Sequence, residues 1–402
     1  MGAGPAGLAA ALALHQQSTE SSPIRVTVLE LRPSIQTLGG AVNLTPLAMR
    51  YLDALGVGSR LRPLGVKVSY IEMFSHRTGS SLGRLWPNVD AIRVLRQNLV
   101  EAMVQTARAV PSDQINLRYG TKVTCIEQLG DASGEGAVKI HFTDTTTGRE
   151  ETIQGDFILG CDGIHSFVRS SLVDPDRKKT YSGRASAYGF IPVSEPGDAG
   201  IAAADGSPAV NVSTLVTGQL GSLLVTFFEP SLRKLYLATV IAQAEKPDGQ
   251  DGKRATGEDK DVVQRDFLRR FRGGKLAGLE EVVKRCEEWV SFPVYMLPPD
   301  GVWSKDRALL LGDAAHAVRN PSEDFSLFLN ANRQTRCRRR AKAPESPLRT
   351  GCCSLVCLAA GTRDPWHRCL PTTRCCGGLS SRRRTMSPCS GGKRSATGAG
   401  LG

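Results

Sequence analysis

Three glycines and one glutamate near the start of the chain have the residue types and spacing needed to bind a dinucleotide. Gly2, Gly4 and Gly7 form the pattern Gly-x-Gly-x-x-Gly, and Glu30 follows Gly7 by 23 residues. Such glycines permit a tight turn, a close approach of the backbone to a pyrophosphate, and close packing of a helix on a strand. A carboxylate at Glu30 can accept hydrogen bonds from both hydroxyls of a ribose. The alternative is a structural turn with Glu30 as a solvated carboxylate.

The elements that must position these residues can be predicted from the adjoining sequence. Residues 8–17 are rich in Ala and Leu and predict a helix, and residues 24–29 alternate as a strand does. A phosphate would then lie at the N-terminus of the helix, where free amides and the helix dipole favour an anion. This glycine pattern ordinarily follows a strand at the centre of the sheet, and only Met1 precedes Gly2. We therefore expect that the native chain begins further upstream, or that this chain is compromised.

Two later motifs carry a resemblance to a family. Residues 155–169 read Gly-Asp-Phe-Ile-Leu-Gly-Cys-Asp-Gly-Ile-His-Ser-Phe-Val-Arg, and residues 307–316 read Arg-Ala-Leu-Leu-Leu-Gly-Asp-Ala-Ala-His. Behind the glycine pattern, they resemble the motifs of FAD-dependent aromatic-ring hydroxylases, the para-hydroxybenzoate and salicylate hydroxylase-like monooxygenases, including those of fungal secondary metabolism. The resemblance covers about residues 1–317. It implies an α/β fold, in which a Rossmann-like FAD-binding domain carries an inserted substrate domain built on an antiparallel sheet.

The resemblance assigns a set of FAD-binding residues. Glu30 would hold the adenosine ribose, Arg96 would reach the pyrophosphate region, and Asp313 would bind the ribityl hydroxyls. An arginine suits phosphate because its charge is permanent and its nitrogens donate in pairs. The alternatives are a surface helix arginine at Arg96 and an ordinary turn at Asp162. The full set is Gly2, Gly4, Gly7, Glu30, Gly40, Ala41, Arg96, Asp162, Gly163, Gly312 and Asp313, with Gly39 beside Gly40 and with Asp162 and Gly163 serving NAD(P)H as well.

The same resemblance implies the chemistry. NAD(P)H would reduce FAD, the reduced flavin would capture molecular oxygen as a C4a-hydroperoxide, and the terminal oxygen would pass to a phenolic or polyketide-like small molecule. Arg184 and Tyr188 are the candidate catalytic residues, because either could orient or deprotonate a phenol. The alternative at these two positions is a surface arginine and a sheet tyrosine. Alternatives for the whole chain are a related flavin epoxidase or oxidase, and a non-functional remnant of such an enzyme.

No metal site is expected. Cys125, Cys161 and Cys286 show no Cys-x-x-Cys spacing, so we infer neither a metal site nor a redox disulfide from them. We interpret His165 and His316 as framework residues of their motifs rather than as acid–base catalysts or metal ligands.

Composition limits the partners and the compartment. The chain is 41% hydrophobic and 22% charged, with no apolar run of 18 residues and no signal peptide at its start. A cytoplasmic protein without a membrane partner is therefore expected. The net charge is +12, but residues 317–402 contain sixteen basic and four acidic residues, so the rest is balanced. The charge therefore gives the preceding part of the chain no reason to bind nucleic acid.

The pattern along the chain divides it into parts. We predict an FAD-binding domain at 1–178 lacking its first strand, a substrate-binding domain at 179–295, and a return to the FAD-binding domain at 296–325. Residues 326–402 form a basic, Cys- and Arg-rich tail that we expect to be disordered. After about residue 317 the glycine loop expected of the family is absent. Translation in a wrong frame or through an intron would yield such a tail, and a genuine disordered basic tail is the alternative.

Overall fold

The computed structural model describes residues 1–37, 39–130, 136–242, 244–245 and 257–317, with the side chains of 257–260 excepted. The predicted tail at 326–402 lies outside the described residues. The helices are α1 (Pro5–Gln17), α2 (Pro46–Ala54), α3 (Gly58–Leu61), α4 (Arg96–Arg108), α5 (Gly257–Phe271), α6 (Leu279–Lys284) and α7 (Asp313–His316). The strands are β1 (Val26–Leu29), β2 (Ala41–Leu44), β3 (Val66–Val68), β4 (Ile71–Ser75), β5 (Ser81–Leu85), β6 (Ala91–Leu95), β7 (Ile115–Arg118), β8 (Thr121–Leu129), β9 (Ala137–Asp144), β10 (Glu150–Gly155), β11 (Ile158–Gly160), β12 (Thr180–Pro192), β13 (Ser213–Gly218), β14 (Gly221–Phe227), β15 (Lys234–Ala242), β16 (Trp289–Met296), β17 (Ser304–Lys305) and β18 (Ala308–Leu310).

The fold is α/β, and its Rossmann-like part contains two short pairs of parallel strands. β1 pairs with β7, and β11 pairs with β18, which also carries β17. Met1 and Gly2 lie between these two groups. The Met1 amine donates to the carbonyl of Leu159, the Cys161 amide donates to the carbonyl of Met1, and the Gly2 amide donates to the carbonyl of Leu29. Two residues therefore connect β1 and β11 at the carboxyl ends of both strands.

A seven-stranded sheet forms the second part of the fold. Its order is β16-β12-β15-β14-β13-β4-β5, and every pairing is antiparallel except that of β13 with β4. One face is covered by α5 and α6, where Phe267 and Trp289 stack with ring centroids 4.3 Å apart. β4 and β5 come from within the range 1–178, so this sheet is built from two separate stretches of the chain.

The sheet β2-β6-β3 connects the two parts through its two faces. Val94 faces the apolar core that α1 and α4 form with β1 and β7. Leu95 faces the other way, toward aromatic residues of the seven-stranded sheet. Since successive side chains of a strand point to opposite faces, β6 contributes to both packing layers.

The sequence-based elements compare with the structure as follows. Alternation at 138–143 and 151–153, on either side of a Thr/Gly turn, predicts a hairpin. This hairpin is confirmed as β9 and β10, paired from Glu150–Thr143 to Gly155–Val138. The amphipathic pattern near 277–290 predicts a helix over that stretch. This prediction is wrong in its second half, because α6 ends at Lys284 and Trp289 begins β16. Trp, Val, Phe and Tyr in this segment favour a strand, and pairing with β12 supplies the long-range partner. No helix within the described ranges is long and apolar enough to cross a membrane.

Candidate functional site

A cavity of about 240 Å³ opens at the N-terminus of α1. Ala3, Gly4 and Pro5 line one side of it, and Glu30 lies beside them. α1 begins with proline at its first position and Gly4 as its N-cap, an arrangement that leaves first-turn amides without intrahelical partners. The glycine loop, the helix N-terminus and the carboxylate of Glu30 therefore meet at one cavity.

Glu30 is fixed by the backbone around it. Its Oε2 accepts a hydrogen bond from the Ala3 amide at 2.8 Å, and its Oε1 accepts one from the Arg32 amide at 3.0 Å. The carboxylate thus connects the end of β1 to the glycine loop. Each carboxylate oxygen has a further lone pair, so the group can still accept hydrogen bonds from a ligand.

Gly7 and Gly4, at the start of α1, avoid a side chain for two different reasons: close packing at Gly7 and open space in the cavity at Gly4. A Cβ on Gly7 would collide with the carbonyl oxygen of Gly2, so this position permits the helix to pack against the turn before it. A Cβ on Gly4 would meet no atom within 4 Å, and Gly4 lines the cavity. Any side chain at Gly4 would extend into the space where a ligand's pyrophosphate is expected.

Arg96 brings a second helix N-terminus to the same cavity. It is the first residue of α4, it lines the cavity, and its amide donates to the Gly40 carbonyl at 3.0 Å. A Cβ on Gly39 would lie 3.2 Å from the Arg96 Cδ. The loop that holds Gly39, Gly40 and Ala41 is thereby placed against the arginine predicted to bind phosphate.

The Asp162 carboxylate has protein partners of its own. Its Oδ1 accepts from the Ser166 hydroxyl at 2.5 Å, and its Oδ2 accepts from the amides of Phe167 and Val168 at 2.7 and 3.2 Å. Asp162 therefore caps the turn that follows β11. Gly163 follows with φ +79°, a left-handed conformation that glycine adopts without strain. A Cβ on Gly2 would lie 3.1 Å from the Asp162 Cα, so this motif packs directly on the glycine loop.

Arg169 joins the second motif to the third. Its guanidinium is buried, with Nη2 donating to the Ile164 carbonyl at 2.6 Å and Nη1 donating to the Ala314 carbonyl at 3.0 Å. Burial lowers the pKa of Arg169 from its ordinary value. Through Ala314, Arg169 holds α7 in place, and α7 carries the exposed Asp313 at its N-terminus.

Gly312 places α7 beside the glycine loop. A Cβ on Gly312 would lie 3.0 Å from the Cβ of Ala6, in the first turn of α1. The second and third motifs therefore lie against the start of α1. Of the predicted cofactor residues, Gly4, Glu30 and Arg96 line the 240 Å³ cavity, and the others do not.

An aromatic cluster lies on the face of the large sheet that α5 and α6 leave uncovered. Tyr188 and Tyr236 have ring centroids 5.8 Å apart, and Phe292 lies 6.1 Å from Tyr188. The Tyr188 hydroxyl accepts a hydrogen bond from the Gly39 amide at 3.2 Å, so it contacts the loop beside Arg96. We call this set the aromatic face; its members are Tyr188, Phe190, Phe228, Tyr236 and Phe292.

The two candidate catalytic residues are not brought together. Arg184 and Tyr188 lie on the same side of β12 but four residues apart, which separates their Cα atoms by about 13 Å in an extended strand. Tyr188 is buried and contacts the loop of Gly39 and Gly40, whereas Arg184 pairs in register with Ala242 at the end of β15. Of the two, Tyr188 lies close to the predicted cofactor residues.

Arg93 is a residue of this region that sequence reasoning missed. Its side chain is 2% exposed, its Nε donates to the Asn43 Oδ1 at 2.8 Å, and its Nη1 donates to the hydroxyls of Ser213 and Thr226. The described residues provide it with no carboxylate partner. Burial lowers its pKa to about 10, opposed by nearby Tyr236. The sequence signal was an arginine at an inward position of an alternating strand, Ala-Ile-Arg-Val-Leu.

His165 and His316 contact aromatic rings, and Cys161 is a buried thiol. The His316 ring stacks on Trp303 with centroids 5.1 Å apart, and His165 lies edge-on to Tyr295 at 5.7 Å. Burial raises the pKa of the Cys161 thiol to about 11. In the part of the chain that the structure describes, no three His, Cys, Asp or Glu residues are grouped to hold a metal ion.

The residues present fit FAD. The N-termini of α1 and α4 converge on one cavity, and both helix ends favour an anion. Arg96 adds a permanent positive charge, and Glu30 offers acceptor oxygens on the adenosine side. Gly4 leaves open the space that a side chain would fill. This arrangement can hold a pyrophosphate flanked by a ribose.

Comparisons with known proteins agree with this arrangement. Residues 1–188 match the family described as FAD binding domain. The chain is 27% identical over 332 residues to phenazine 1,6-dicarboxylic acid hydroxylase PhzS of Lysobacter antibioticus, which covers 79% of this chain and 75% of that protein. It is 25% identical over 331 residues to 6-hydroxynicotinate 3-monooxygenase of Pseudomonas fluorescens, covering 79% and 76%. Both similarities extend well beyond the matched domain.

Solved structures share the fold. The structure of CtdE in complex with FAD and a substrate superposes with a TM-score of 0.64 at 17% identity, covering 90% of this chain and 81% of that one. At this identity the likeness concerns the fold alone.

Proposed function

The chain belongs to the FAD-dependent aromatic hydroxylases and monooxygenases, and from this premise we propose that it hydroxylates a phenolic or polyketide-like small molecule. FAD is the cofactor, NAD(P)H the reductant and molecular oxygen the oxidant. One observation carries the proposal. Phe292 lines the FAD cavity and also packs in the aromatic face, so the cofactor cavity and an aromatic-lined surface are contiguous.

The residues of the cavity supply binding and orientation. When bound, FAD supplies the electron transfer and the activation of oxygen. Glu30 would accept hydrogen bonds from the ribose, the amides at the start of α1 would face the pyrophosphate, and Arg96 would neutralise part of its charge. Asp313 and Gly163 would hold the groups that follow toward the flavin ring.

The aromatic face supports an aromatic substrate. Flat rings stack or meet edge to face with a bound ring, and they exclude water from the reacting carbon. Tyr188 accepts its hydrogen bond from Gly39, which leaves its own proton available for donation to a ligand oxygen. Arg93 is a buried cation behind this face, and it favours the ionised form of a phenol bound near it. An ionised phenol is more electron-rich and accepts an electrophilic oxygen more readily.

We place the enzyme in the cytoplasm. Cys125, Cys161 and Cys286 are free thiols, as expected for a reducing compartment, and the described part of the chain offers no membrane-crossing helix. The domain boundaries predicted from the sequence, at residues 178 and 295, stay part of this proposal.

Three measurements on the purified chain test the function. The first is the visible absorbance of bound flavin. The second is NAD(P)H consumption stimulated by members of a panel of phenols and small polyketides, and the third is transfer of isotopically labelled dioxygen into the product. We expect bound flavin and one labelled hydroxyl per NAD(P)H consumed.

The alternatives give different outcomes. An oxidase would release hydrogen peroxide without labelled product, and an epoxidase would place the label in an epoxide. Protein that binds no flavin would show that the chain is a remnant and would refute the proposed function.

A further inference from the structure

Tyr119 lies beside Glu30 at the turn between β7 and β8. The Glu30 amide donates to the Arg118 carbonyl, and the Thr121 amide donates to the Glu30 carbonyl, both at 2.8 Å. The Gly120 amide donates to the Arg32 carbonyl at the same distance. The residues on each side of Tyr119 are therefore bonded to the segment that holds the predicted ribose ligand, and its position relative to Glu30 is fixed by backbone.

The ring and the hydroxyl of Tyr119 have different surroundings. The ring packs against the apolar core of α1 and α4, and the guanidinium of Arg108 lies 6.0 Å from its centroid. The hydroxyl oxygen is buried, and the described residues give it no hydrogen-bond partner. Tyr119 and Glu30 line the same cavity. A phenylalanine would satisfy the ring contacts equally well, so packing alone does not account for the hydroxyl.

The hydroxyl is a donor at physiological pH. Burial raises the pKa of Tyr119, Arg108 opposes the shift, and Glu30 adds to it. The phenol is therefore neutral and has one proton to donate. A buried hydroxyl without a partner costs free energy, and a ligand acceptor in the cavity would remove that cost.

We propose that the Tyr119 hydroxyl donates a hydrogen bond to the adenosine half of FAD, to a ribose oxygen or an adenine ring nitrogen. The inference rests on the proposed function, since it concerns the same cofactor cavity. It makes Tyr119 a positioning residue that distinguishes FAD from a flavin without adenosine. Glu30 would accept hydrogen bonds from the same part of the ligand to which Tyr119 donates, so the two residues would recognise it in complementary ways.

The test uses Tyr119→Phe, which deletes the hydroxyl and keeps the ring. The affinity of flavin-free protein would be measured by calorimetry for three probes: FAD, ADP and FMN. We expect Tyr119→Phe to weaken FAD and ADP by a similar factor, about five- to tenfold for one hydrogen bond in a buried site. FMN, which lacks adenosine, should bind wild type and variant equally. Tyr51→Phe, on α2 and outside the cavity, is the matched control and should change none of the three affinities.

Stability of the flavin-free protein separates recognition from a structural role. If the hydroxyl serves a ligand, Tyr119→Phe should unfold at the same denaturant concentration as wild type or at a higher one. A variant that binds FAD and ADP as tightly as wild type overturns the inference and leaves the proposed function standing, as does equal weakening of ADP and FMN. Wild type that binds neither FAD nor ADP refutes the proposed function and this inference together.

Discussion

Gly40 and Tyr236 form a close contact between the loop of Gly39 and Gly40 and the aromatic face, and substitution of Gly40 by alanine tests it. A Cβ on Gly40 would collide with the edge of the Tyr236 ring, at Cε2, Cζ and the hydroxyl oxygen. The Gly40 backbone is outside the left-handed region, so alanine adds the collision without backbone strain. The effect of the substitution therefore reports on this contact alone.

The magnitude follows from how little Tyr236 can move. It is 7% exposed, and its ring centroid lies 5.8 Å from that of Tyr188 and 5.5 Å from that of Phe190. Overpacking a buried site of this kind costs about 1–3 kcal/mol. If the displaced loop is the one that holds flavin, a cost of that size weakens FAD binding by roughly five- to a hundredfold.

A double-mutant cycle assigns the cost to the pair. Tyr236→Leu removes the colliding ring edge, so Gly40→Ala should cost far less in that background, with a coupling of at least about 1 kcal/mol in urea unfolding. The matched control is Gly155→Ala, on the exposed strand β10, where a Cβ would meet nothing nearer than 3.9 Å. Strictly additive effects of the two substitutions, in both unfolding and FAD titration, would refute the reasoning.

Three further predictions concern other residues. Arg169→Met should lower the free energy of unfolding by about 2–4 kcal/mol in urea titrations, because one buried and one partly buried carbonyl lose a charged donor. The same substitution should weaken FAD binding, and unchanged FAD affinity would contradict the role of Arg169 in placing α7. Arg93→Gln removes a buried charge that has no acidic partner among the described residues, so the free energy of unfolding should change by less than about 2 kcal/mol. The preference for ionised over neutral phenols should fall in Arg93→Gln, and Arg93→Lys should retain part of it. A larger loss of stability would show a mainly structural role. The amides of Thr147 and Thr146 hold the pKa of Asp144 below its ordinary value. The stability that this carboxylate adds is therefore present above about pH 4 and is lost as pH falls through the lowered pKa. The stability difference between wild type and Asp144→Asn should shrink in acid, and a difference that stays constant with pH would contradict this role of Asp144.

The sequence predicted those parts of the site that depend on local geometry. Glycine spacing requires a particular backbone path, so Gly4 and Gly7 could be assigned to a phosphate loop before any contact was known. Glu30 could be placed by the strand that ends just before it. Hairpin β9–β10 was also predictable, because alternation and a Thr/Gly turn are properties of neighbouring residues. What these features share is that glycine spacing, strand alternation and turn composition can each be recognised from short stretches of the sequence.

Contacts between distant segments were decided only by the tertiary structure. Tyr119 carries no local signal for function, and the only signal at Arg93 is its inward position in an alternating strand. Tyr119 became significant because its turn lies beside Glu30, and Arg93 because β6 packs against β13 and β14. Phe292 was assigned to no element from the sequence, yet it links the cavity to the aromatic face. Periodicity shows which face of a strand is apolar, but the partner of that face depends on long-range pairing. The sequence therefore determined the family and predicted candidate cofactor anchors, and the folded chain determined which buried polar side chains face the cavity.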